Sequence, residues 1–243
     1  MGWIRLNEVD IRNVPEHIAI IMDGNRRWAK LNGKSKNTGH REGMLRLKEI
    51  VESCGELGVK ALTVYAFSTE NWAREKEEVM YLMNLVLEFS NTMILPLHKA
   101  GVKINVFGDI ERFPENSQKG IQDAVERTKH NKNLVLNIAL GYGGRDEITK
   151  AVRTIGKQLI LGELAVDEID ESKFSDFLYS KGQRDPDLLI RTSGEQRLSN
   201  FLLYQLAYTE FYFTEVLWPD FSKEKLHQAI AEYQRRKRRF GKE

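Results

Sequence analysis

His17-Ile-Ala-Ile-Ile-Met-Asp-Gly-Asn-Arg-Arg-Trp28 is the stretch that decides the fold. An unbroken apolar run over 18–22 stops at Asp23, Gly24 and Asn25 turn the chain, and a helix carrying Arg26, Arg27 and Trp28 follows. Continuous apolar character, in place of alternation, predicts a strand covered on both faces, as in a parallel sheet. The same grammar recurs, with strands expected at 61–67, 102–107, 134–140 and 188–190, and a last one near 211–216. Strands that alternate with helical patterns imply an α/β fold built around a mostly parallel sheet flanked by helices. No repeat, low-complexity tract or linker interrupts the chain, so 1–243 reads as a single domain. The segment 180–186 reads as a mobile loop within it.

The helices are legible from their periods. Over 41–57, Met44, Leu47, Val51 and Cys54 recur every three or four residues, and Gly58 supplies the stop. The segment 76–100 is apolar on more than one face, with Val79, Leu82, Met83 and Val86 on one side and Leu85, Leu87 and Phe89 on others. Such a helix must bury two faces. Either it is plain core, which is the simpler reading, or one face lines a hydrophobic cavity. A final helix over 223–239 presents Leu226, Ile230 and Tyr233 and ends in the basic run Arg235-Arg-Lys-Arg-Arg239, which reads as a solvated helix end.

Bulk properties narrow the class. With 41% apolar and 30% charged residues the chain is an ordinary globular protein, and a net charge of +2 does not mark a nucleic-acid binder. No basic stripe with interleaved aromatics occurs elsewhere, so no nucleic-acid partner is expected. Cys54 is the sole cysteine, so no intrachain disulfide forms and a reducing, cytoplasmic location is expected. Its place on an apolar face makes it a small core residue. The first fifteen residues mix Arg5, Glu8, Asp10 and Arg12 among apolar ones, unlike a signal peptide. No uninterrupted apolar run reaches the roughly 20 residues that span a bilayer. Any membrane contact is therefore expected to be peripheral.

The chemistry concentrates where strands end. In α/β sheets ligands bind at the carboxyl ends of strands. Gly24 lets backbone amides approach an anion there, and Arg26 and Arg27 offer forked donors to phosphate oxygens. An aspartate facing phosphates is repelled unless a divalent cation bridges them, so Asp23 implies Mg²⁺; the bland alternative is that it caps the helix. A second set, Phe67-Ser-Thr-Glu-Asn-Trp-Ala-Arg74, places Ser68, Glu70, Asn71 and Arg74 beside Trp72 after another strand. A third, Asp187-Leu-Leu-Ile-Arg-Thr-Ser-Gly-Glu-Gln-Arg-Leu-Ser199, delivers Arg191, Arg197 and Ser199. Glu210 follows in the aromatic stretch 204–218, which is either core or an interface. Three anion-binding turns with one acidic residue for a metal call for substrates carrying more than one diphosphate. A phosphatase that attacks phosphorus through an aspartate two residues before the Asp-Gly pair is a weak rival, because Ile21 stands there. The fingerprints of P-loop and dinucleotide-binding proteins are absent.

Six blocks in order, H-x-A-I-I-M-D-G-N-x-R-W, G-H-R-x-G, Y-A-F-S-T-E-N-W, N-I-A-x-x-Y-G-G-R, D-L-L-I-R-T-S-G-E-x-R-x-S-N-F-L-L and W-P-D-F, make the chain resemble the undecaprenyl diphosphate synthase (isoprenyl transferase) family. They spread from His17 to Phe221. The resemblance implies a six-stranded, mostly parallel sheet, a homodimer, and a tunnel between sheet and helices for a growing chain. It implies a cis-prenyltransferase that condenses isopentenyl diphosphate with an allylic prenyl diphosphate, farnesyl diphosphate foremost. Residue by residue, it implies that Asp23 binds Mg²⁺ and assists diphosphate departure. Gly24, Asn25, Arg27, Trp28 and His40 would hold the allylic substrate, with Ser68, Thr69 and Glu70 nearby. Asn71 matches the position assigned as the base, although an amide is a poor one and is better suited to orient. Trp72 and Arg74 match substrate contacts, Arg191, Arg197 and Ser199 match the isopentenyl diphosphate site, and Glu210 matches a second Mg²⁺-linked position near the dimer interface.

Arg26 and Lys36 also belong to the substrate set, and both depart from the family pattern, where glycine and arginine are frequent. Lys36 keeps the charge and loses the fork. A non-catalytic partner subunit would be expected to lose Asp23 or the arginines, and this chain keeps them. The D-D-x-x-D pair of trans-type synthases is absent. The expected tunnel runs along the 76–100 helix, with Ala66 on its wall and Leu134 as its floor.

Overall fold

A computed structural model describes residues 9–236. Residues 1–8, on which part of the N-terminal reading rests, and Lys237, Arg238 and Arg239 of the basic run lie outside them.

Strand β1 (His17–Ile21) is buried along its whole length, as its unbroken apolar run demands. The chain then forms α1 (Asn25–Leu31), α2 (Lys36–Leu57) and β2 (Ala61–Ser68). Next come α3 (Lys76–Lys99), β3 (Val102–Phe107), α4 (Glu115–Thr128), β4 (Leu134–Tyr142) and α5 (Gly144–Leu161). The short α6 (Glu171–Ser175), β5 (Leu188–Arg191), β6 (Glu210–Phe213) and α7 (Lys223–Arg235) complete it. The six strands lie in the order β3-β4-β2-β1-β5-β6 and every pair is parallel, where the sequence led to mostly parallel.

Strand order reverses at β1, with β2 on one side and β5 on the other. A crevice opens at such a point, beyond the carboxyl ends of the strands. The three anion-binding turns leave β1, β2 and β5, so the topology alone gathers them.

Two boundaries and one loop differ from expectation in ways that bear on the site. Helix α2 begins at Lys36, five residues before the expected start at Arg41, because Ser35 caps it by accepting the Thr38 amide at 3.1 Å. Strand β6 ends at Phe213 and not at Val216, because the following backbone bends back onto the loop after β5: Ser193 N–H donates to Val216 and Gly194 N–H to Thr214. The 180–186 segment is latched rather than loose. His17 Nδ1 lies 2.6 Å from the Arg184 carbonyl, Nε2 lies 2.7 Å from Thr63 Oγ1, and Asn137 donates to Gln183 at 2.8 Å. Burial pushes the His17 imidazole below its ordinary pKa.

Helix α3 is the one described helix that is long and apolar enough to cross a membrane. In the fold it packs on α2, α4 and β3, and its surplus apolar face has another use, described below.

Candidate active site

Two cavities share a border at the carboxyl end of the sheet. The polar one encloses about 560 Å³ and is lined by Asp23, Ser68, Glu70, Asn71, Arg74, Arg191, Ser199 and Asn200. The apolar one encloses about 130 Å³ between α2, α3, α4 and the sheet, walled by Leu82, Leu85, Val86, Phe89, Ile104, Ile121 and Ile138. Met22, Asn25, His40, Ala66 and Leu82 line both. The second face of α3 is thus a cavity wall, which corrects the plain-core reading. Ala66 stands on the wall as expected, but Leu134 does not touch the cavity. It pairs with Val102 deeper along β4, 1% exposed in the core, while Ile138 and Ile104 meet the cavity above it.

The head of the polar cavity is a fixed fork. Arg191, at the end of β5, is 3% exposed. Its Nη2 donates to Asp23 Oδ2 at 2.8 Å, and its Nη1 donates to Ser199 Oγ at 2.8 Å and to the Arg197 carbonyl. Its Nε is buried without a partner. Asp23 itself is held from behind, where Thr192 Oγ1 and the Trp218 amide donate to its carbonyl at 2.6 and 3.0 Å. Gly24 sits at φ +110, and a Cβ there would meet Leu217 and Ser193 at about 3.0 Å, so only glycine makes the turn.

The mouth of the cavity is organised by a residue that the sequence reading missed. Glu78, 5% exposed, accepts from His40 Nε2 at 3.2 Å and Arg74 Nη1 at 3.0 Å, with Arg26 Nε at 3.9 Å. Burial pulls its carboxyl upward, but the His40 hydrogen bond and the charges of Arg74 and Arg26 outweigh it and hold it below the usual range. Burial likewise pushes the His40 imidazole below its ordinary pKa, against the pull of Glu78. The available signal was a carboxylate four residues after Arg74 at the start of an apolar helix. The G-H-R-E-G block also gains a reason. A Cβ at Gly39 would fall 2.2 Å from the Asn25 carbonyl, and one at Gly43 would fall 2.4 Å from Asn25 Oδ1, which is buried and unpartnered at the junction of the cavities.

The remaining expected residues divide. Asn71 accepts the Ser68 amide on Oδ1 at 3.1 Å, which leaves its NH₂ as the group to offer a ligand. Glu70 accepts from Asn200 at 2.9 Å and from Thr69 at 3.1 Å; burial raises its carboxyl, yet the Asn200 bond and its other hydrogen bonds hold it low. Arg27 and Arg197 stand outside the cavity lining, bridged by Glu195 at 2.9 and 2.6 Å, with Arg27 also donating to the Ser193 carbonyl. Lys36 is paired with exposed Glu75. Trp28 donates to Asp220 at 2.8 Å, and Trp72 packs on Phe67 and Phe113, so neither indole lines a cavity. Glu210 and Asp23 are not brought together within the chain. Glu210 pairs with Leu188 at the amino end of the sheet and is held by Arg236 at 2.9 Å, whereas Asp23 follows the carboxyl end of β1.

A buried guanidinium fork, further cations and an apolar extension are what a diphosphate with a hydrocarbon tail requires. The family model described as "Putative undecaprenyl diphosphate synthase" matches residues 21–241. The chain belongs to the undecaprenyl diphosphate synthase family. The isoprenyl transferase of Clostridium perfringens is 53% identical over 94% of this chain and 90% of its own. The ditrans,polycis-undecaprenyl-diphosphate synthase ((2E,6E)-farnesyl-diphosphate specific) of Micrococcus luteus is 50% identical, covering 98% and 96%. Among solved structures, lavandulyl diphosphate synthase from Lavandula x intermedia, in complex with dimethylallyl diphosphate, superposes with a TM-score of 0.92 at 41% identity over 94% of this chain and 99% of that one. A probable undecaprenyl diphosphate synthase from Campylobacter jejuni gives 0.77 at 33% identity over 95% and 100%. The protein is an isoprenyl transferase that elongates prenyl chains in cis.

The donor set also bears on a metal. Among the described residues no cluster of three acidic, histidine or cysteine side chains forms a cage. Asp23 engages Arg191 through Oδ2 and keeps Oδ1 for another partner. That chemistry fits Mg²⁺, which is commonly held by one or two carboxylates plus substrate phosphates.

Proposed function

We propose that this isoprenyl transferase uses farnesyl diphosphate as primer and adds isopentenyl diphosphate units to make a polyprenyl diphosphate of undecaprenyl length. It works as a Mg²⁺-dependent homodimer in the cytoplasm. The observation that carries the substrate reading is the shared border of the two cavities, which seats the head and the tail of one amphiphile in continuous space. Asp23 would hold Mg²⁺ together with diphosphate oxygens, and the ion would supply charge neutralisation at the departing diphosphate. Arg74 stabilises the charge that grows on that diphosphate as the allylic C–O bond breaks and the leaving group takes the electron pair, while Arg191 and Ser199 hold the diphosphate of the incoming unit. The double bond of isopentenyl diphosphate then attacks the allylic C1, and the C2 proton passes to the released diphosphate as a new cis double bond forms. Asn71 orients the incoming unit, because an amide whose oxygen is already engaged removes no proton.

The dimer is supported by the edge position of β6 with its half-buried Phe211, Tyr212 and Phe213. A second chain is also the route by which a Glu210 would reach an Asp23. The cytoplasmic reading rests on Cys54, the sole cysteine, which is buried and has no disulfide partner in the chain. Membrane contact is peripheral, through the lipid product leaving the apolar cavity.

The test is product analysis with labelled isopentenyl diphosphate and farnesyl, geranyl or dimethylallyl diphosphate, with and without chelator. Farnesyl diphosphate should give the fastest incorporation and a ladder ending near eleven units, silent in chelator. Incorporation from none of the primers would sink the reading.

A further inference from the structure

The Tyr142-Gly-Gly-Arg145 block is left without a role by the reaction just described. It contributes no side chain to the polar cavity. What it touches is the loop after β5. Gly144 N–H donates to the Asn200 carbonyl at 2.7 Å, and Arg145 N–H donates to Asn200 Oδ1 at 2.9 Å. Asn200 Nδ2 reaches across to Glu70 Oε1 at 2.9 Å. One asparagine therefore joins the first turn of α5, the turn after β2 and the loop that carries Ser199.

That loop has reason to need holding. Ser199, Asn200 and Leu202 all lie at positive φ, at 49°, 65° and 43°, and two of the three are residues that adopt this region reluctantly. The ring of Phe201 is stacked on Tyr65 at 4.5 Å, and the Tyr65 hydroxyl donates to the Tyr142 carbonyl at 3.1 Å. Farther along, Gln205 Nε2 donates to Glu147, a carboxylate 2% exposed on α5 that also accepts the Tyr142 hydroxyl at 2.6 Å. The glycines are shaped to the same loop. A Cβ at Gly143 would lie 2.7 Å from Asn200 Nδ2, and one at Gly144 would lie 2.9 Å from Leu203 Cγ.

We propose that Tyr142–Arg145 is a dock for the 199–203 loop and that Asn200 is its positioning residue, holding Ser199 Oγ against the Arg191 fork. The dock thereby acts chiefly on the affinity for isopentenyl diphosphate, its one link to the allylic side being the Asn200–Glu70 bond. The inference rests on the prenyl-transfer reading and on the assignment of Arg191 and Ser199 to that substrate.

Two substitutions from different elements test it in the full chain. Asn200→Gly keeps the left-handed backbone and removes the side-chain clasp. Gly144→Ala leaves the site side chains alone and pushes the loop at Leu203. Each should raise KM for isopentenyl diphosphate about tenfold, the loss of one such hydrogen bond. KM for the allylic diphosphate should stay within about twofold, at an unchanged circular dichroism spectrum, and Asn200→Asp should not rescue, since it loses the donor to Glu70. A loop that served stability alone would lower the melting temperature and leave both KM values in place, and that result in either folded variant overturns the proposal. Should one variant fail to fold, the other decides. Absence of turnover in the unmutated protein would overturn the prenyl-transfer reading itself, and this inference with it.

Discussion

The two cavities are built by opposite means. The polar one is specified atom by atom: Arg191 makes three directed hydrogen bonds while 3% exposed, and Glu78 accepts from His40 and Arg74 and pairs with Arg26. The apolar one is shaped mainly by volume, through two leucines, a valine and a phenylalanine of α3 facing β3 and β4. At about 130 Å³ it is close to the ~150 Å³ void that accepts a single benzene. A prenyl tail lying against these walls gains about 0.8 kcal/mol per buried CH₂. The head is held by directed bonds, whereas the tail is held by apolar contact alone.

The largest break in that contrast should come from Asp23. Asp23→Asn keeps an acceptor for Arg191 and removes the charge, so kcat should fall at least about a hundredfold with the fold retained. Asp23→Ala should lose turnover and also about 1–3 kcal/mol of stability, because a buried guanidinium loses its carboxylate. Denaturant melts beside steady-state rates distinguish them, and near-normal rates in the asparagine variant would remove Asp23 from the mechanism.

Leu134→Ala comes next. As a core residue beneath the cavity, it should cost about 2–5 kcal/mol of stability and leave the product ladder unchanged. Longer products would restore it as the tunnel floor. Arg197→Ala should raise KM for isopentenyl diphosphate about tenfold, the low end of the 1.5–3 kcal/mol for a charged hydrogen bond, because the guanidinium is 61% exposed and already shared with Glu195. Equal rises in both substrate constants would dissolve the division of the head into two subsites.

Ala66→Leu acts on the shared border and should shorten products while the first condensation keeps its rate within about twofold, since the head is untouched. Chromatography of the ladder settles it. The smallest effect is on pH. His17 and His40 both have lowered pKa values through burial, so the unfolded chain takes up protons first. Their stabilising share is complete above about pH 6.5 and is lost as pH falls through that value toward their folded pKa values. Melting temperature should decline from pH 7 to 5, and His40→Gln should flatten part of the decline.

Much of this was legible in the chain itself. Unbroken apolar runs ending in Asp23, Ser68 and Arg191 specify parallel strands and the residues at their carboxyl ends, because strand period and turn chemistry are local properties. Family motifs then supplied the roles. Other features depend on what comes to lie opposite what. Glu78 reads as one more helix acid until His40, Arg74 and Arg26 converge on it. Leu134 and Ile138 share one face of one strand, and only the packing of α3 and α4 decides which meets the void. Glu210 stands near Arg191 in the order of strands, yet the β5–β6 register sets it at the far end of the sheet from Asp23. The sequence by itself determined the strands, the turns and the donors they carry, through short-range sterics and periodicity. Which donors share a cavity, which apolar face stays unfilled and which carboxylate loses its water were decided by tertiary packing, because burial and partnership are properties of neighbours distant along the chain.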